Sequence, residues 1–385
     1  MKRVLLLVDA AGDFSYPELQ DRTPLECARM STASSFAKEG KVGGMRIRHA
    51  GPDSSRALLA EAIGFTSRAS SKLRWGPLGV LAAEQPWEAG RVAYLAHFVH
   101  IDSEGHQYPL SPSSKDEQHQ LLQELEQDLK DSLPEADVRM IGLSLGRFVI
   151  TLSASHHWLS ASPVAYHYRG FLQRLDPVLR SVLEQIQFFL EFNSLNQLRL
   201  DLGEVPISGV WCWSGGHRIP EPPSLDHSRV LVSPDPIVKG LASLCGSSFA
   251  ELPDPYHPPT QDFPENQMQE LLQDHDEMIV WLPALFASEE FQEPQEKVRR
   301  LDEMDYRLLA PFRKILENEE GVRLLLAAAG VRHRGRPERG TAPCLLWGSD
   351  VAPDGTAQWT ESASVEGSLG TPRWSSLLET FRKSS

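Results

Sequence analysis

Residues 4–8, Val-Leu-Leu-Leu-Val, ended by Asp9 and the segment Ala10-Ala11-Gly12-Asp13, constrain this chain more than any other feature. So short and continuously apolar a run fits a strand buried on both faces of a parallel sheet. Such sheets place their ligands beyond the carboxyl ends of the strands, which is where Asp9 falls. A carboxylate there has the hard oxygen that divalent cations prefer, and capping a loop is its bland alternative use. A helix is expected over 24–39, with Thr23 as N-cap, Pro24 at the first helical position, Glu26 three residues after the cap and Gly40 as the stop.

Further along, a strand is expected at 92–102, and strands at 138–143 and 148–153 flank a Ser144-Leu145-Gly146-Arg147 turn as a hairpin. Between them 115–132 carries Leu121, Leu122, Leu125 and Leu129 at helical spacing, an amphipathic helix whose stripe is core contact. Alternation then resumes: helix 175–192, strand 210–213, helix 236–245, strand 278–282, helix 294–316, and strands at 324–328 and 345–347. Residues 253–266 hold five prolines and read as a surface loop. The expected organisation is an α/β core at 1–88 and 176–385 around a smaller α/β insertion at 89–175.

Charge and composition narrow the function. A formal net charge of −14 on 385 residues disfavours nucleic acid and anionic lipid as partners. No apolar run reaches the roughly 18 to 20 residues that span a bilayer. Four scattered cysteines without a CxxC pair point to buried thiols in a reducing, cytoplasmic setting. No dinucleotide fingerprint, phosphate-binding P-loop or HExxH motif occurs. The basic cluster Arg332, His333, Arg334, Arg336 and Arg339 is either a solvated loop or an anion site, and Trp211-Cys212-Trp213-Ser214-Gly215-Gly216-His217 is either a packed strand end or a backbone anion nest. His156-His157 point to opposite faces of an extended chain and make a poor metal pair.

Leu6-Leu7-Val8-Asp9-Ala10-Ala11-Gly12-Asp13, then Pro17-Glu18-Leu19, Arg22-Thr23-Pro24-Leu25-Glu26 and Ala37-Lys38-Glu39-Gly40, resemble the N-terminus of archaeal-type cofactor-independent phosphoglycerate mutases. Collinear matches follow: Arg74 with Gly76-Pro77-Leu78, Val92-Ala93-Tyr94 with His97-Phe98, Asp102-Ser103-Glu104-Gly105, Pro236-Ile237-Val238-Lys239-Gly240, Glu296-Lys297-Val298 with Asp302 and Asp305, and Gly367-Ser368-Leu369-Gly370. The resemblance implies an alkaline-phosphatase-like α/β core, its mainly parallel sheet flanked by helices, with a smaller inserted α/β domain. It also implies interconversion of 3- and 2-phosphoglycerate through a phosphoserine, with two divalent metals, Mn or Mg.

Residue by residue, most of that chemistry is replaced. Asp9 matches the first metal ligand, although the following glycine is Ala10. The nucleophilic serine of Gly-Ser-Asp falls on Pro52 in Gly51-Pro52-Asp53, and proline cannot attack. In the aligned ligand segments Phe286, Glu290, Val331 and Arg332 stand for aspartate, histidine, aspartate and histidine. Arg74, Arg147 and Lys239 match substrate-side positions, and with Asp53 and Arg332 form the expected ligand-binding set.

The sequence therefore reads as an inactive mutase homologue that binds a phosphorylated small molecule or a protein partner and needs no cofactor. Around Gly209–Gly216 it also resembles divergent bacterial relatives regarded as regulatory. The enzyme alternative makes Ser54 or Ser55 the nucleophile, with Asp9, Asp13, Asp53 and Glu290 holding metal. A structural-subunit alternative is favoured if the Leu121, Leu125, Leu129 stripe is exposed rather than buried. A cleft bounded by Asp9, residues 51–55, Arg74, Arg147, Lys239 and Arg332 is expected.

Overall fold

The chain divides into two units, one formed by Met1–Lys72, Pro222–Val238 and Cys245–Ser385, the other by Leu73–Glu221 and Lys239–Leu244. The computed structural model describes residues 1–47, 54–153, 168–253, 263–283, 293–333, 336–338 and 340–383, with backbone alone for 54, 332, 333 and 336–338. The strands are β1 (Lys2–Val8), β2 (Lys41–Ile47), β3 (Arg91–Ile101), β4 (Gln107–Pro109), β5 (Arg139–Ser144), β6 (Arg147–Ser153) and β7 (Gly209–Gly216). They continue with β8 (Arg229–Ser233), β9 (Ser248–Glu251), β10 (Glu277–Leu282), β11 (Val322–Ala328), β12 (Val331–His333), β13 (Arg336–Glu338) and β14 (Gly340–Gly348).

The first unit is built on a seven-stranded sheet in the order β2-β14-β11-β1-β10-β8-β9. From β11 to β9 the strands run parallel, and β14 joins antiparallel to both β11 and β2. Residues 4–8 lie at its centre between β10 and β11 and are wholly buried, which is why that run carries no polar alternation. The second unit is an antiparallel sheet, β4-β3-β6-β5 with β7 also on β3. The β5–β6 hairpin turns at Gly146, whose φ of +78° suits glycine. The helix Lys115–Ser132 buries Leu121, Leu122, Leu125 and Leu129, so the condition set for the structural-subunit reading is not met.

Several boundaries differ from the sequence reading. The second unit begins at Leu73 and runs to Glu221, because β7 pairs along β3 and the helix Trp75–Ala82 packs on β3 so closely that a methyl on Gly76 would meet the Ala93 carbonyl at 2.0 Å. The helix expected over 24–39 is two, Pro24–Cys27 and Ser31–Glu39. Its predicted capping box of Thr23 with Glu26 is present. The break is held from far away in sequence: Asp302 accepts the Arg29 N–H, and buried Asp305 accepts Thr32 N–H, Ala33 N–H and the Ser31 hydroxyl. Asp305 opens a π-turn, Asp305–Leu309, that interrupts the helix expected over 294–316. Within 253–266, Glu265 already starts the helix Glu265–Asp274. The basic segment, weighed as a solvated loop or an anion site, carries the short antiparallel pair β12–β13.

Candidate functional site

In the first unit the candidate site lies where β1 and β11 end. Val8 accepts the Ala329 N–H at 2.8 Å, the Asp9 N–H donates to Leu282 at 3.0 Å, and the Gly12 N–H donates to Gly330 at 3.2 Å. This pins the β1 exit between the ends of β10 and β11. Asp9 is buried there, and so is Ser55 in the helix Ser54–Ile63. The two are neighbours across Gly330, on which a methyl would sit 3.2 Å from Asp9 Oδ1 and 3.8 Å from Ser55 Cβ. Ala10 has φ of +60°, the left-handed region, at the position where the resemblance expects glycine. That backbone costs an L-residue about 1 kcal/mol and is one that glycine adopts freely.

The two positions beside it are closed to a metal. Val331 is buried against Gly12 and Gly340, where methyls would stand 3.3 and 3.4 Å from its Cγ2. Asp13, a ligand in the enzyme alternative, is instead held by Lys297: Nζ lies 2.8 Å from Asp13 Oδ2 and donates to the Gly12 carbonyl at 3.1 Å, with the side chains 4% and 2% exposed. The Tyr16 hydroxyl donates to both Asp13 oxygens and the Phe14 N–H to Oδ1. Glu361 completes the cluster, accepting the Asp13 N–H at 2.9 Å and the Thr23 hydroxyl at 2.7 Å. Burial pushes its carboxyl up to about 7, against the pull of those hydrogen bonds and of Lys297. Among the described residues no three His, Cys, Asp or Glu come together to hold a metal ion. Paired divalent metals need several anionic or imidazole ligands around each ion, and at the described β11 end Val331 supplies none.

The remaining expected residues fall in the second unit or outside the description. Arg74 occupies the N-cap position of the helix Trp75–Ala82, its guanidinium donating to the Leu73 carbonyl at 3.3 Å. Arg147 opens β6 directly opposite His97 on β3. Burial, helped by Arg147, pushes the His97 imidazole down to about 3, so it is neutral. Lys239 pairs with exposed Glu84 at 2.5 Å. Gly215 and Gly216 belong to β7, where methyls would strike the Tyr94 ring at 2.3 Å and Arg74 Cβ at 2.7 Å; here glycine serves close packing rather than an anion nest. Asp53, Gly51, Pro52, Phe286, Glu290 and His156-His157 lie outside the described residues, as do the side chains of Ser54 and Arg332.

The fold is the alkaline-phosphatase-like α/β architecture of cofactor-independent phosphoglycerate mutases. It superposes on a protein from Pyrococcus horikoshii with a TM-score of 0.70 at 18% identity, covering 100% of this chain and 98% of that one. A cofactor-independent phosphoglycerate mutase from Thermoplasma acidophilum gives 0.53 at 18% identity, covering 99% and 98%. In sequence the chain is related end to end to archaeal 2,3-bisphosphoglycerate-independent phosphoglycerate mutases: 24% identical to that of Methanothrix thermoacetophila, over 98% of both, and 22% to mutase 2 of Methanothermobacter thermautotrophicus, over 98% of this chain and 96% of the relative. No family model matches the chain. Among the described residues no helix is long and apolar enough to cross a membrane.

Sequence reasoning missed Glu361 and the role of Lys297. A signal existed for the lysine: it stands on the buried stripe Pro294, Lys297, Leu301, Met304 of the helix Pro294–Met304, a charge among apolar positions at helical spacing that demands a buried partner. Nothing local marks Glu361, whose partners are more than 330 residues away.

Proposed function

We propose that this chain is a phosphoglycerate mutase homologue without mutase chemistry, which binds a phosphorylated metabolite through the guanidinium groups of its second unit. The observation that carries the first half is the substitution at the β11 end: a buried aliphatic side chain, Val331, where the resemblance places a metal-binding aspartate. Phosphoryl transfer by positioning and charge stabilisation needs cations held by the protein beside the transferring group. Asp9 is one carboxylate, and the neighbouring Asp13 already has its counter-ion. The second half rests on Arg74 and Arg147, since guanidinium is the side chain best matched to a planar or tetrahedral oxyanion.

A second reading keeps catalysis and is favoured by the adjacency of Ser55 to Asp9 across Gly330. Turnover separates the two. Purified chain, given 3-phosphoglycerate and excess Mn²⁺, is expected to form no 2-phosphoglycerate above a protein-free control. Turnover that disappears in Ser55→Ala would establish the catalytic reading instead. If calorimetry then finds no binding of 3-phosphoglycerate, or binding that Arg147→Ala leaves unchanged, the metabolite half of the proposal fails, leaving a protein partner.

A further inference from the structure

The second unit holds a cavity of about 240 Å³ that involves neither Arg74 nor Arg147. Its walls come from the segment after the helix Trp75–Ala82, the start of β3, the helix Lys115–Ser132 and the edge strand β5. Sites for drug-sized ligands measure roughly 300 to 1,000 Å³, so the occupant of this one is small. Two guanidinium groups line it, and both are engaged. Buried Arg91 donates to the Thr151 hydroxyl, the Asp137 carboxylate and the carbonyls of Asp137 and Thr151, while Arg139 pairs with Glu88. The charge that remains is Glu126, half-buried, which accepts the Met140 N–H at 2.8 Å and has no ion-pair partner among the described residues.

Two further groups of the wall are electron-rich. The Met140 N–H reaches Glu126 and so points away from β6, and in an antiparallel ladder the carbonyl of the same residue points the same way. Met140 thus presents an acceptor on the side where Glu126 lies. Trp87, half-buried, makes no ring pair, cation contact or indole hydrogen bond among the described residues. The face of an indole attracts cations more strongly than that of any other side chain. A carboxylate, a carbonyl and an indole face around one small cavity call for a donor that carries positive charge. We propose that this cavity binds a small aliphatic primary amine, its ammonium on Glu126 and the Met140 carbonyl and its stem against Trp87 and Val80. An anion would meet Glu126 with the same sign of charge, and a quaternary ammonium has no N–H for either acceptor. The site is separate from the phosphorylated-metabolite reading, which uses Arg74 and Arg147.

Calorimetry of the full chain with n-butylamine at neutral pH tests this. One amine per chain is expected to bind saturably, with a Kd of about 1 mM or tighter. Tetramethylammonium, which lacks the donors, and n-butanol, which lacks the charge, should each bind at least about tenfold more weakly. Glu126→Gln keeps an acceptor for the Met140 N–H, so β5 stays held, and should weaken butylamine at least about tenfold. Trp87→Ala should weaken it about threefold or more. Glu124→Gln, on the same helix but accepting from Asn193, should leave binding unchanged. No saturable binding up to about 10 mM, butanol bound as tightly as butylamine, or unchanged affinity in Glu126→Gln overturns the proposal.

Discussion

Replacing Lys297 with methionine is expected to cost the first unit about 3 to 5 kcal/mol, the penalty of breaking a buried ion pair by removing one partner. Methionine keeps the volume and the apolar contacts of the stem, so the loss isolates the charge. What is left is Asp13, 2% exposed, its negative charge facing the Tyr16 hydroxyl, the Phe14 N–H and the neighbouring Glu361 without the ammonium. The double variant Asp13→Asn, Lys297→Met should recover much of that loss, since it removes both charges together. Urea unfolding of the four proteins measures the coupling. Single-variant losses under about 1 kcal/mol would mean that the pair does not anchor the turn that carries Asp9.

The second large effect depends on pH. Glu361 has its carboxyl raised from 4.5 to about 7 in the folded chain, chiefly by burial. Between those values the folded state holds a proton that the unfolded state has released, so the contribution of Glu361 is full below 4.5 and is lost as pH rises through about 7. The loss amounts to about 3 kcal/mol. His97 acts in the opposite sense in the second unit, since an imidazole pushed down to about 3 favours the fold increasingly as pH rises toward 6.5. The diagnostic is therefore the difference between wild type and Glu361→Gln. The amide can accept the Asp13 N–H and donate to the Thr23 hydroxyl at any pH, so the variant should gain on wild type by about 3 kcal/mol between pH 4.5 and 7. A difference that does not change with pH would mean that Glu361 is ionised throughout.

Much of the frame was legible because it is local. The buried run at residues 4–8, the capping box at Thr23 and Glu26, the stripe on Lys115–Ser132 and the β5–β6 hairpin each declare themselves within a few residues. What was not legible depends on partners distant in sequence. No local signal says that Asp302 and Asp305 will cap a helix at Ser31 and so divide the 24–39 segment, or that β7 will leave the expected core to pair with β3. The site was legible in the same uneven way. Asp9 could be named from its place after a strand, while the neutralisation of Asp13 appears only once Lys297 is folded against it.

If the strand ends that the resemblance equips with two metals hold none, titration with Mn²⁺ shows it. Electron paramagnetic resonance reads free Mn²⁺ as the ion is added to the full chain. The signal of free ion is expected from the first addition onward, with no bound fraction at micromolar protein. A pair of tightly held ions per chain, displaced by chelator and lost in Asp9→Ala, would contradict it and restore the two-metal reading.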